Sequence, residues 1–490
     1  MGAVAVSEYR WPAVDQFIGR RAELARLEAW WRELPVQSQG MNLYGRRRVG
    51  KSWLFRRFAH GKPAIILVAE RTTPAQQLTK IAEQLEPHLG LRPEIRDVGE
   101  LFRILFQSTR RGRALVVIDE FPYLLGNTAS AISGALSSIQ AVIEQHRDSS
   151  LAKIMVCGST VSQMEDLQSE KNPLHGRFDR FVLQPLGFHE SREFMADLDI
   201  VEQFERYSVA GGMPRYLHTL CSGDLERTLA SKVVDSNSPL FNEPLSLLQS
   251  ELREPNAYLA ILEALAVKPT DVGVIADAVG LTSKSLSPYL ENLRAMRLAS
   301  RRLPVGADST SRSGQWECPD HFLRFWFRFV RPFQTDLEAG SDATAHVRNH
   351  IRPHLPEHVS LVFEDVVRRW IRQTWGAAGN VGAWWGNSLN HERAAKRRQT
   401  EEIDAVGLSA KQVVVVAEAK WTNKAMPLQV LEDLRNYKLP AMNQAGFRSS
   451  TDHCIVLTSR SGFTAGLQKA SDADSRIRLI DAADLLSELR

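Results

Sequence analysis

Cysteine is scarce and scattered. Cys157, Cys221, Cys318 and Cys454 are the only four in 490 residues, and no two form a C-x-x-C pair. That pattern offers neither a cysteine-built zinc site nor a disulfide framework, and it fits a reducing cytoplasm, the compartment expected here. Long apolar runs are also missing. Ala64–Ala69 and Val413–Ala417 are strand-length, far short of a bilayer span, so no membrane partner is expected. The opening MGAVAVSEYRWP lacks a signal-peptide pattern, and Val6 stands where a myristoylation signal needs Ser or Thr. Excess charge is lacking too: 61 basic against 57 acidic residues leave a net +4. Bulk charge therefore permits nucleic-acid binding without arguing for it, and local clusters must carry that case. The length implies several domains.

What is present starts with Gly45-Arg46-Arg47-Arg48-Val49-Gly50-Lys51-Ser52, a complete G-x-x-x-x-G-K-[ST] loop. Met41–Tyr44 reads as a buried strand before it and Ser52–Phe58 as an amphipathic helix after it. Gly45 and Gly50 let the backbone curl, so that its N–H groups face phosphate oxygens at the new helix's positive end. Lys51 is expected at the β- and γ-phosphates and Ser52 on Mg²⁺, which makes ATP and Mg²⁺ the expected cofactors.

Further buried strands are expected at Ala64–Glu70, Ala114–Asp119, Lys153–Gly158 and Arg180–Leu186. An apolar run ending in Asp119-Glu120 puts two carboxylates at the carboxyl end of a parallel strand. There Asp119 is expected to hold Mg²⁺ and Glu120 to polarise the attacking water. Ser159, ending the next strand, is the candidate γ-phosphate sensor. Arg177 is the candidate arginine finger, in the same protomer or from a neighbour. Gly211-Gly212, inside helical sequence, suggests a tight turn facing the nucleotide.

FIGRRAEL upstream of the loop resembles the entry segment of AAA+ and STAND-type ATPases, and YGRRRVGKS, VVIDEFPYL, CGST, PLHGR and GGMPRYL, taken in order, resemble the prokaryotic family known as archaeal ATPases. That family is placed with STAND and AAA+ P-loop ATPases, and the resemblance covers roughly residues 15–250. The entry-segment resemblance implies that FIGRRAEL packs near the adenine.

Residues 255–336 read as a winged helix. Val272–Val279, Gly280 and Ser283–Met296 form the helix–turn–helix. Leu298–Pro304 and Gln315–Cys318 form the wing strands around the polar loop Gly306–Gly314. Its recognition helix would present Ser283, Lys284, Ser285 and Ser287, with Arg297, Arg301 and Arg302 at the wing. A spacer is the alternative. The aromatic run Asp320–Phe329 reads as a core helix between domains.

After a polar, linker-like stretch from residue 337, the helix Val359–Trp375 carries Glu364. His391–Thr400 is a basic loop. Strand alternation places Asp404, Glu418 and Lys420 on one face, with Asp404 diagonally across from Glu418. Two such carboxylates suit Mg²⁺, with Glu364 as a further ligand, and Lys420 beside them can orient water. Charges interrupting an apolar strand are costly without a purpose. The E…D…E-x-K spacing resembles the PD-(D/E)-x-K nucleases, although Ile403 stands where the leading Pro belongs.

The expected architecture is α/β: an N-terminal tail (1–14), a P-loop AAA+/STAND ATPase core (15–190), a helical lid (191–254), a winged helix (255–336) and a restriction-endonuclease-like domain (337–490). The expected function is ATP-controlled DNA binding and cleavage. The alternatives are a regulatory switch that only grips nucleic acid or protein, and a remodeller without nuclease chemistry. Expected partners are nucleic acid, DNA foremost, with a homo-oligomer left open.

Overall fold

The computed structural model describes residues 6–33, 40–109, 112–146, 149–252, 255–389 and 400–488. The chain forms two compact units. The first comprises Met1–Leu186 with Met213–Arg215; the second comprises Gly187–Gly212 with Tyr216–Arg490.

In the first unit, β1 (Gly40–Tyr44), β2 (Ala64–Val68), β3 (Ala114–Asp119), β4 (Ala152–Gly158) and β5 (Phe178–Val182) make a parallel sheet of order β2-β3-β4-β1-β5. β1, β3 and β4 are buried along their whole length, which explains runs without polar alternation. Crossover helices such as Pro74–Leu89, Val98–Ser108 and Ala129–His146 supply Leu85, Phe102, Phe106 and Ile139 to the core on one face. The loop after β1 and the Asp119-Glu120 pair after β3 thus emerge at the same, carboxyl edge of the sheet. β4 lies between those two strands and ends there too.

Residues 6–14 are not the loose tail expected. They run beside the start of β2, with Tyr9 N donating to Lys62 O at 2.8 Å and Ala64 N to Ser7 O at 3.2 Å. β2 is an edge strand with backbone groups to satisfy, and Trp11 is buried edge-on against Trp53 at 4.8 Å.

The second unit holds the stretches expected to be lid, winged helix and last domain. The boundaries expected at 254/255 and 336/337 both lie within this unit, and the chain first passes from one unit to the other after Leu186. Aromatic packing is the reason. Phe204, on the helix Ile200–Ala210, meets Phe363 at 5.4 Å and Trp421 at 4.7 Å. The aromatic run forms the helix His321–Phe329, buried on nearly every side, and Trp326 Nε1 donates to Phe241 O at 2.6 Å. The stretch from 337 is largely helical (Gln334–Glu338, Ala343–His346, Val347–Ile351) rather than a linker.

Helices Pro255–Ala264, Val272–Val279 and Ser283–Ala295 precede a small antiparallel sheet of order β6-β8-β7, from β6 (Thr270–Asp271), β7 (Ser300–Arg302) and β8 (Gln315–Glu317). Thr282 caps the helix Ser283–Ala295, accepting from Ser285 N at 3.2 Å. The helix Leu355–Thr374 then leads into β9 (Asn380–Asn387), β10 (Thr400–Ser409), β11 (Gln412–Lys420), β12 (Arg448–Ser459) and β13 (Ile477–Asp481), with sheet order β13-β12-β11-β10-β9. β9, β10 and β11 are antiparallel neighbours; β11, β12 and β13 are parallel.

Candidate functional site

The phosphate loop is built as its residues require. A Cβ on Gly45 would fall 2.4 Å from Leu183 O, so only glycine fits, and Gly50 has φ +95°, in the region that favours glycine. The helix Lys51–Ala59 starts at the loop's end, leaving its first N–H groups pointing into the loop. Lys51 Nζ donates to Gly45 O at 2.9 Å and Arg46 O at 3.2 Å. Ser52 Oγ donates to Asp119 Oδ2 at 3.0 Å, so the two candidate Mg²⁺ ligands already touch. Burial, more than any charge, holds the Lys51 ammonium below the ordinary lysine pKa, with Glu120 and Asp119 opposing. Burial likewise raises the Asp119 carboxyl, helped by Glu120.

Glu120 has φ +52°, rare for a residue with a side chain. Its carboxylate accepts Ser159 Oγ at 2.7 Å and Ser159 N at 3.3 Å. Ser159, expected to read the phosphate, here holds Glu120. Arg46, Arg47, Arg48 and Val49 form the loop's outer turn, with Arg48 also at positive φ.

One residue that sequence reasoning missed is Arg20. It is buried, has φ +61°, and its guanidinium donates to Val49 O at 2.8 Å and pairs with Glu23 at 2.7 Å. It thereby braces the loop backbone from the start of the helix Arg21–Arg32. The signal was the Gly19-Arg20 step before a helix, read only as part of a segment near adenine.

Arg177 requires a correction. It directly precedes β5, whose Phe178 lies beside Gly40, the first residue of β1. Five strand residues at roughly 3.3 Å each put it about 16 Å from the phosphate loop, at the opposite edge of the sheet. There it pairs with Glu144 near the end of the helix Ala129–His146. A same-protomer contact with the γ-phosphate is not available from this position.

In the second unit, Asp404, Glu418 and Lys420 meet. The ladder of these two strands runs from Ala405, opposite Ala417, to Ser409, opposite Gln412, and Asp404 and Glu418 follow at its end. Lys420 Nζ stands 3.2 Å from both Asp404 Oδ2 and Glu418 Oε2. Asp404 Oδ2 also accepts Ala419 N at 2.8 Å. Glu418 is fully buried, and its Oε1 accepts Lys438 Nζ at 2.6 Å; sequence reasoning missed this second lysine. Burial, then Asp404, raises the Glu418 carboxyl above its ordinary pKa. For Asp404, burial is the largest influence and pushes upward, but Lys420, Lys438 and the Ala419 N–H act against it and the carboxyl sits low.

Glu364 does not complete a three-carboxylate ligand set. It turns to Arg368 at 3.6 Å, and burial, followed by Asp404, pushes it up to about 8. Arg368 in turn pairs with Asp365 and donates to Asp404 O at 2.6 Å. Among the described residues no group of three or more His, Cys, Asp or Glu stands in metal-holding geometry. The paired oxygens of Asp404 and Glu418 suit one hard cation, in competition with two ammonium groups.

The wing arginines also differ from expectation. Arg302 donates to Glu402 Oε1 at 3.1 Å and lies over the Trp385 ring at 5.1 Å. Arg301 donates to Ser309 O at 2.9 Å and to Ser311 O, tying its own loop. That loop covers the edge strand β9: Val305 N donates to Ala383 O at 2.8 Å and Trp385 Nε1 to Ser313 O at 3.0 Å. Ser283, Lys284, Ser285 and Ser287 are exposed on their helix. The basic loop His391–Thr400 lies, but for Thr400, outside the described residues.

A parallel α/β sheet with a phosphate loop after β1 and a carboxylate pair after β3 is a P-loop ATPase-type fold. The comparisons agree: residues 17–220 match a family described as an ATPase domain predominantly from Archaea. Residues 326–432 match a family described as archaeal and bacterial proteins of unknown function. The chain is 26% identical over 388 residues to an uncharacterized protein of Methanocaldococcus jannaschii, covering 77% of this chain and 82% of that one. Among solved structures, the Walker-type ATPase of Pyrococcus abyssi is similar, with 22% identity, TM-score 0.51, and coverage of 64% of this chain and 97% of that chain. The ORC2 protein of Aeropyrum pernix, solved in ADPNP–ADP complexes, matches more loosely, with 13% identity, TM-score 0.45, and coverage of 68% and 99%. No described helix is long and apolar enough to cross a membrane.

Proposed function

We propose that the chain binds and hydrolyses ATP, and that its nucleotide state governs DNA binding and metal-dependent phosphodiester cleavage by a PD-(D/E)-x-K-type domain. ATP with Mg²⁺ supplies the anhydride whose hydrolysis resets the protein between two states. The loop N–H groups and Lys51 hold its phosphates; Ser52 and Asp119 hold its metal. Glu120, once turned from Ser159, takes a proton from the attacking water. Arg177 acts on the nucleotide of a neighbouring copy. The exposed face with Ser283, Lys284, Ser285 and Ser287 makes helix Ser283–Ala295 the DNA-contacting element of a winged helix, while the wing itself faces the last sheet.

The observation that carries the cleavage reading is the meeting of Asp404, Glu418 and Lys420 in a buried, otherwise apolar strand pair. A surface salt bridge would be cheaper outside the core. A second reading, a switch that grips without cutting, draws support from Lys438, which further neutralises Glu418. The deciding experiment incubates purified protein with Mg²⁺ or Mn²⁺, with and without ATP, across linear, branched, single- and double-stranded DNA and RNA. Cutting that Asp404→Ala abolishes, with ATP hydrolysis intact, supports the first reading. No cutting of any substrate leaves the switch.

A further inference from the structure

We propose that Lys438 is a further active-site residue, which holds Glu418 in the metal-free protein and moves to a scissile-strand phosphate oxygen when a divalent cation enters. The inference rests on the nuclease reading above and assigns a role that this reading does not need.

Three of the four carboxylate oxygens of the pair are engaged. Lys420 takes Asp404 Oδ2 and Glu418 Oε2, each at 3.2 Å, and Lys438 takes Glu418 Oε1 at 2.6 Å. Two lysine side chains thus face two carboxyl groups inside the sheet. Lys438 is itself buried, and its Nζ has Glu418 as its carboxylate partner. An added divalent cation over-neutralises the pair, so one ammonium must give way. Lys420 bridges both acids from the strand itself. Lys438 holds one oxygen, from the turn that follows the helix Leu428–Asp433, and is the one that leaves. A phosphate diester brought to the metal offers it a new anion.

The backbone supplies an independent sign. Leu434–Lys438 is a π-helical turn between the helices Leu428–Asp433 and Leu439–Gln444. One extra residue in that turn rotates the succeeding side chains by about 100° relative to a regular helix. π-turns are rare and frequently lie at functional sites, although Ala230–Val234 and Val347–Ile351 form such turns here too. Here the turn ends on the lysine that reaches Glu418.

The test uses the nucleotide-free full chain, with Mn²⁺ binding followed by calorimetry and duplex DNA binding followed by fluorescence anisotropy, in Ca²⁺ or in EDTA. Wild type is compared with Lys438→Met, Lys438→Gln and Lys438→Arg; binding that persists in Asp404→Ala is subtracted as belonging elsewhere. Removing the competing charge should tighten Mn²⁺ binding about tenfold in Lys438→Met and Lys438→Gln, and leave Lys438→Arg near wild type. The neutral variants should lose DNA affinity in Ca²⁺ and keep it in EDTA. Unchanged Mn²⁺ affinity in both folded neutral variants, or DNA affinity lost equally in Ca²⁺ and EDTA, overturns the role of Lys438 while leaving the nuclease reading intact. Absence of Asp404-dependent Mn²⁺ binding in wild type and neutral variants alike overturns both.

Discussion

Arg302 and Glu402 join the small three-stranded sheet to the strand that carries Asp404. Their side chains meet at 3.1 Å, and the same guanidinium lies over Trp385, the ladder partner of Glu402. Arg302 is 13% exposed and Glu402 52%. The ion pair is therefore half in water and worth about 0–1 kcal/mol, whereas the stacking is sheltered and adds about 1 kcal/mol. Arg302→Ala should destabilise the second unit more than Glu402→Ala in denaturant unfolding. Equal losses would mean that the ion pair, not the ring, carries the contact.

The same geometry separates two groups of basic residues in DNA binding. Lys284 is exposed on its helix, while Arg302 is committed to the sheet. Lys284→Glu should reduce the slope of log K against log salt by about 0.9 for duplex DNA, one lost phosphate contact. Arg302→Met should leave that slope unchanged. A slope that responds to Arg302 and ignores Lys284 would demote the helix and restore the wing as the contact.

At the nucleotide site the three side chains should fail in three ways. Lys51→Ala removes the ammonium that bridges the loop carbonyls and should weaken ATP binding. Glu120→Gln keeps its shape but loses the base, so ATP should bind and hardly turn over. Ser159→Ala frees Glu120 from its 2.7 Å hydrogen bond, and should raise basal turnover while leaving affinity near wild type. Binding isotherms beside steady-state phosphate release separate these outcomes. Wild-type turnover in Glu120→Gln would move the base elsewhere.

The phosphate loop, the Asp119-Glu120 strand end and the E-x-K strand were legible because each is local: a few adjacent residues state both their element and their chemistry. Arg177 was misplaced because motif order says which strand comes next, and not which end of that strand a residue occupies. Lys438 was missed because its partner Glu418 lies twenty residues away on a strand, and no local pattern joins the two. Arg302 looked available to DNA because its partners, Glu402 and Trp385, arrive from strands far along the chain. Gly187 shows the same limit: a Cβ there would strike the Arg369 guanidinium, a clash no local pattern announces.

His321 offers a test of the second unit through pH. Its Nδ1 lies 3.2 Å from Tyr207 O, a carbonyl that can only accept, so that nitrogen carries a proton. Burial, then the neighbouring Arg324, depresses its pKa from 6.5 to about 4, against the weaker pull of that carbonyl, Asp365 and Asp320. In the unfolded chain the ring takes up its proton near 6.5, and in the folded unit only near 4. Between those values the unfolded state binds more protons, so stability rises with pH. The contribution is complete above about 6.5 and is lost as pH falls toward 4. His321→Asn keeps a donor for Tyr207 O and removes the titration. Its melting temperature should therefore fall less than that of wild type between about pH 7 and about pH 5. Some slope should persist, because His358 is also held neutral by burial and by Arg324. Parallel melting curves for wild type and His321→Asn across that range would show that the ring titrates alike in both states, and that its burial does not hold the helices Ile200–Ala210 and His321–Phe329 together.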